Sequence, residues 1–121
     1  MGMKEISIFI SSEDLSKVTN ILLRNKMGMT FFEVSGTGRT PRNAPEIIDS
    51  YMTGRTTMPK FVKKIEVKTI VPDSSAKNII EELLNNFGSA SEPYGVIFVK
   101  EVFNAYELGT KITGDNVLLS Q

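Results

Sequence analysis

Met29–Arg42 reads MTFFEVSGTGRTPR, and the rest of the chain falls into place around it. It opens as a strand rich in aromatic and β-branched residues, with Phe31, Phe32 and Val34 suited to packing on a sheet. The strand breaks at Gly36-Thr37-Gly38, and Arg39, Thr40 and Arg42 follow. Glycines in such a turn allow positive φ and close approach by a ligand, and its exposed amides can cradle an anion. The guanidiniums of Arg39 and Arg42 add charged, forked donors for phosphate or carboxylate. Beyond Arg42 no clear period returns until Phe61, and Pro41, Pro45 and Pro59 discourage regular structure on the way. At most a single helical turn is expected there, over Glu46–Met52. Loops of that length inside a compact domain are usually functional or disordered.

On either side of this stretch the periods are plain. Phe61–Val71, FVKKIEVKTIV, alternates Ile65, Val67, Thr69 and Val71 against Lys64, Glu66, Lys68 and Ile70. A strand with one apolar and one partly charged face suits an antiparallel sheet covered on one side only. Lys4–Ile10, KEISIFI, is a second such strand, with Ile6, Ile8 and Ile10 on one face and Glu5, Ser7 and Phe9 on the other. Between them Leu15, Val18, Ile21 and Leu22 recur at helical spacing, predicting a helix over Glu13–Met27 that starts at a Ser11/Asp14 capping pattern and stops at Gly28. Pro72-Asp73-Ser74 opens a helix over Ser74–Phe87 with Ala76, Ile79, Ile80, Leu83 and Leu84 on its inner stripe. Gly95–Val102 is the last strand, and polar Asn104–Gln121 either wraps the surface or frays.

The order is therefore strand, helix, strand, long loop, strand, helix, strand. That is the α+β, ferredoxin-like βαβ-βαβ pattern: a four-stranded antiparallel sheet with two helices on one face, in a single domain spanning 1–121. The other face holds Phe9, Phe32, Ile70 and Phe98 and needs cover, which points to oligomerisation.

Composition narrows the function. An apolar share of 40% and a charged share of 23% are ordinary for a soluble protein. Lys+Arg and Asp+Glu balance at 14 each, which argues against a dedicated nucleic-acid or membrane-surface binder. Without Cys or His, disulfides are excluded, a transition-metal site would rest on carboxylates alone, and acid–base chemistry lacks its usual agent. No apolar run approaches ~18 residues, so no membrane insertion is expected. The expectation is a cytoplasmic protein that is not an enzyme; Glu92, Glu107 and Asp115 read as surface carboxylates.

The motifs, taken in order, resemble those of the PII signal-transduction family. They are Gly28-Met29-Thr30 leading into Glu33-Val34-x-Gly36-x-Gly38-Arg39, then Lys64-Ile65-Glu66-Val67 with Val71-Pro72-Asp73, then Gly95-x-Ile97-Phe98-Val99-x-x-Val102. The resemblance covers Lys4 to about Val102. It implies a homotrimer that holds an adenine nucleotide in the cleft between subunits, with a T-loop over about 37–60 that meets a target transporter or metabolic enzyme. By the same resemblance the nucleotide-binding residues are Thr30, Gly36, Thr37, Gly38, Arg39, Thr40, Arg42, Glu66, Val67, Ser91, Tyr94 and Gly95. Lys60, Lys63 or Lys64 would stand in for a lysine that meets an effector acid.

The chain also departs from the family pattern. Where typical members carry Thr-Gly-x-x-Gly-Asp-Gly-Lys before the last strand, Gly88–Val96 reads GSASEPYGV, with Val96 at the phosphate-binding lysine. Where they carry Arg-x-Arg-Thr-Gly near the C-terminus, this chain has Glu107-Leu108-Gly109-Thr110. Three cations are missing, at roughly 1.5–3 kcal/mol per charged hydrogen bond. AMP, ADP or cAMP is therefore expected in preference to ATP. The alternative is a ligand-free interaction or structural trimer with a decayed pocket. Tyr51 lies near the family's modified tyrosine, but its neighbours do not match, so it reads as an exposed loop aromatic.

Overall fold

The computed structural model describes residues 2–37, 48–49, 57–58, 61–87 and 95–120. Four strands form the main sheet: β1 (Met3–Ile10), β2 (Thr30–Gly36), β5 (Val62–Pro72) and β6 (Val96–Val102), in the order β2-β5-β1-β6. Every pairing is antiparallel. Helices α1 (Leu15–Arg24) and α2 (Asp73–Asn86) supply the second layer. The ferredoxin-like reading holds, because each segment's hydrophobic period matched the element it had to form. Between β2 and β5, β3 (Ile48–Asp49) pairs antiparallel with β4 (Thr57–Met58), so Ile48 and Asp49 belong to a short ribbon rather than to a helical turn.

The core lies between sheet and helices. Ile6, Ile8 and Ile10 of β1 and Ile65, Val67 and Val71 of β5 meet Val18, Ile21 and Leu22 of α1 and Ala76, Ile79 and Leu83 of α2. Burying each large aliphatic side chain contributes about 1.5–3 kcal/mol. Leu84 is exposed, contrary to its expected place on the inner stripe. It follows Leu83 by one position, a rotation of about 100°, which carries it off the face that Ala76, Ile79 and Leu83 share.

Both helix ends differ in detail from expectation. At the start of α1, Ser11 donates its hydroxyl to Asp14 Oδ2 at 3.0 Å instead of capping backbone, and Ser12–Asp14 forms a 3-10 turn first. At its end Lys26, not Gly28, takes the left-handed conformation, with φ +62°. Lys26 N–H donates to Leu23 O and Met27 N–H to Leu22 O, both at 2.9 Å, the paired bonds of a Schellman stop. Gly28 instead accepts a 2.7 Å bond from the buried Thr69 hydroxyl, which ties the entry of β2 to β5.

Lys4 fastens the far end of the sheet, reaching Asp73 at 2.7 Å and Glu101 at 3.3 Å, so β1, the first turn of α2 and β6 share one ammonium. The Asp73 hydrogen bond raises the Lys4 pKa. Beyond β6 the chain wraps rather than frays. Tyr106 and Thr113 bridge across a tight turn, and a 3-10 helix, Gly114–Ser120, packs on β5 with Val117 buried.

Candidate functional site

The open face of the sheet is the counterpart of the packed one. Alternation puts Thr30, Phe32 and Val34 of β2 on it, with Lys64, Glu66, Lys68 and Ile70 of β5, Glu5, Ser7 and Phe9 of β1, and Val96, Phe98 and Lys100 of β6. Register aligns these into rows. Thr30 stands opposite Lys68, which stands opposite Ser7, which stands opposite Phe98. The next row runs Phe32, Glu66, Phe9, Val96. Phe32, Val96 and Phe98 are large and exposed, while the Phe9 and Phe98 rings meet edge to face at 5.8 Å.

Among these apolar groups sits a balanced charge network. Lys68 Nζ lies 3.9 Å from Glu5 and 3.8 Å from Glu66, Lys100 lies 3.6 Å from Glu5, and Ser7 Oγ donates to Glu5 at 3.3 Å. Lys68 also stands 5.7 Å above the Phe32 ring, in cation–π range. The Glu5 and Glu66 side chains are only 20% and 14% exposed, so their charges are carried largely by the two lysines.

The sequence-derived site residues distribute unevenly over this frame. Thr30 begins β2 and Gly36 ends it, opposite Val62, with Thr37 next in the chain. Glu66 shares the open face with Thr30. Val67 does not: its side chain is fully buried in the core, and β5 is paired along both edges, so neither its side chain nor its strand edge is presented. Lys63 and Lys64 part company for the same reason, Lys64 lying on the open face opposite Val34 and Lys63 on the helix face opposite Ser35. Gly38, Arg39, Thr40, Arg42, Tyr51, Lys60, Ser91 and Tyr94 lie outside the described residues.

Gly95 stands just before β6, and its lack of a side chain is a packing requirement. A Cβ there would come within 2.0 Å of the Phe9 carbonyl oxygen. It also lies at the opposite edge of the sheet from Gly36 and Thr37, with β5 and β1 between, about 14 Å across at the usual strand spacing. Within one copy the two glycine-bearing edges face away from each other.

Lys68 lies directly opposite Thr30 on the open face. Its alternation with Glu66 showed that the two share a face, but nothing local in the sequence showed that Thr30 would pair with it. A separate open groove of about 610 Å³ lies on the helix side of β2, lined by Ser12, Leu15, Ser16, Thr19, Leu23, Met29 and Phe31. It is largely apolar and opens away from the Thr30–Lys68 row, so it offers an anionic ligand little. Glu107 accepts the Thr110 hydroxyl within the C-terminal turn, a structural role.

A family model described as "Nitrogen regulatory protein P-II" matches residues 3–111. Among solved structures, B. subtilis GlnK is similar at 18% identity and a TM-score of 0.73, the match covering 98% of this chain and 100% of that one. A B. subtilis GlnK–ATP complex is similar at 18% identity and a TM-score of 0.70, covering 97% and 98%. A search of curated protein sequences gives no match.

Proposed function

The chain belongs to the nitrogen regulatory protein P-II family, and from that premise we propose that it is a cytoplasmic homotrimeric sensor rather than an enzyme. In this reading an adenine nucleotide occupies a cleft shared by two subunits, and its presence alters the surface that segment 37–60 offers to a target transporter or metabolic enzyme. The observation that carries the reading is the separation of Gly36–Thr37 and Gly95 at opposite edges of one sheet. A single pocket built from both is most simply completed by a second copy. Exposed Val96 and Phe98 support the same assembly, since large apolar side chains left open on a sheet face favour a partner surface. The GlnK–ATP complex adds that a protein of this fold takes an adenine nucleotide.

AMP, ADP or cAMP is favoured over ATP because Val96, an exposed apolar residue, follows Gly95, and Glu107–Thr110 brings an acid where cations would be needed. Arg39 and Arg42 remain as the cations beside the turn, and Lys64, on the open face, as the effector-binding lysine. Titration calorimetry with AMP, ADP, cAMP and ATP tests this, alongside Val96→Lys. The unmutated protein is expected to bind the less charged nucleotides more tightly. The added ammonium should improve ATP affinity by roughly 10-fold or more, the worth of one charged hydrogen bond. If none of the four binds while light scattering still reports three times the mass of one chain, the ligand-free trimer, favoured by the same missing cations, replaces the sensor.

A further inference from the structure

We infer that Lys68 is a ligand-contacting residue that reads the purine base, an assignment that rests on the nucleotide reading above. The strand register places Lys68 directly opposite Thr30, on the same face and at the accessible side of β5. Its ammonium sits between the carboxylates of Glu66 at 3.8 Å and Glu5 at 3.9 Å, close enough for charge pairing but beyond hydrogen-bond reach. It is therefore held in place electrostatically while its N–H donors are not taken up by those two acids.

The neighbours decide what chemistry such a donor suits. A phosphate carries acceptors only, and Glu66 beside Lys68 would repel it. A purine edge carries both kinds of group: ring nitrogens, and O6 in hypoxanthine or guanine, accept, while the adenine amino group donates. Lys68 and Glu66, two residues apart on one strand face, are a donor and an acceptor beside Phe32, which stands directly opposite Glu66 and diagonal to Lys68, and whose half-exposed ring offers a stacking surface. Donor, acceptor, hydroxyl and phenyl face thus lie together on four positions, Lys68, Glu66, Thr30 and Phe32. Lys100 joins the same network through Glu5 but stands on β6, at the far side of the sheet, and serves as an internal control.

The test compares AMP and IMP binding by calorimetry in the unmutated protein, Lys68→Met and Lys100→Met, with melting temperature and mass recorded for each. Lys68→Met is expected to weaken AMP by ~10-fold or more and to change the ratio of AMP to IMP affinity, because the two bases differ at the position an ammonium can reach. Lys100→Met should do neither. Equal weakening of both nucleotides at an unchanged ratio, or equal effects of the two substitutions, would mean a structural network and would overturn the assignment. So would unchanged AMP binding in Lys68→Met, which leaves the nucleotide reading intact. If the unmutated protein binds neither AMP nor IMP, the inference fails, and the nucleotide reading fails with it only where ADP, cAMP and ATP do not bind either.

Discussion

Replacing Gly95 with alanine sets two opposed effects against each other, and the structure says which wins. No positive φ is recorded at Gly95, so alanine is compatible with the backbone, and the restricted unfolded chain should stabilise the protein by about 0.4–1 kcal/mol. Against this, the new Cβ would stand 2.0 Å from Phe9 O and 3.2 Å from both Phe9 C and Ile10 Cγ2. Ordinary carbon–oxygen contact begins near 3.3 Å, so something must yield by more than an ångström. Phe9 cannot yield cheaply, because β1 is the strand paired with both β5 and β6. The start of β6 must move instead, at about 1–3 kcal/mol for overpacking. The middle of the two ranges leaves a net loss of about 1 kcal/mol, with roughly 2.6 kcal/mol as the upper end. Urea unfolding followed by circular dichroism should show a lower midpoint at unchanged slope. Gly28→Ala, where nothing lies within 4 Å, is the control and should be neutral or slightly stabilising. If Gly95→Ala equals or exceeds the unmutated protein in stability, the close approach of β6 to Phe9 is not a constraint and the reasoning fails.

Two further outcomes are expected. Lys26→Gly should raise stability by about 1 kcal/mol, since a left-handed residue with a Cβ is strained and glycine is not; an unchanged or lower urea midpoint would contradict the Schellman stop. Glu82 clamps α1 to α2: Asn25 Nδ2 donates to it at 3.0 Å and Arg24 pairs with its other oxygen, and these bonds hold its carboxyl below the usual glutamate value, Asn25 contributing most. A lowered carboxylate pKa stabilises the fold fully above the unfolded value, about 4.3, and is lost as pH falls through the folded one. Glu82→Gln should therefore be less stable at pH 7, and the gap should close as the pH drops through that window; a gap that stays constant from pH 7 to pH 3 would remove the linkage.

How much was legible depended on the kind of information each feature needs. Face assignments need only a local period, so Ile65, Val67, Thr69 and Val71 are buried as their alternation required, and Val18, Ile21 and Leu22 turn inward as helical spacing required. The Gly28 stop was misplaced because a Schellman ending depends on where the last helical carbonyls fall, and Lys26 reached that place first. Val67 was drawn into the candidate site by its motif neighbours, although its own period already put it on the packed face. The C-terminal segment was open between two outcomes because one buried side chain, Val117, fixes it against β5, and no local pattern marks a single anchor.

Register is the information a single strand does not carry, and it bears directly on the site. Periodicity told that Thr30, Phe32, Glu66 and Lys68 face one way, but two strands can slide by two residues without turning any side chain over. The slide actually taken is set by long-range ties such as the Thr69 hydroxyl on Gly28 O, which lies just where β2 begins. With that bond in place Thr30 meets Lys68 and Phe32 meets Glu66; a shift of two would pair Thr30 with Glu66 and put a carboxylate where the ammonium stands. The charge presented beside Thr30 therefore follows from a hydrogen bond made in the buried layer on the other side of the sheet.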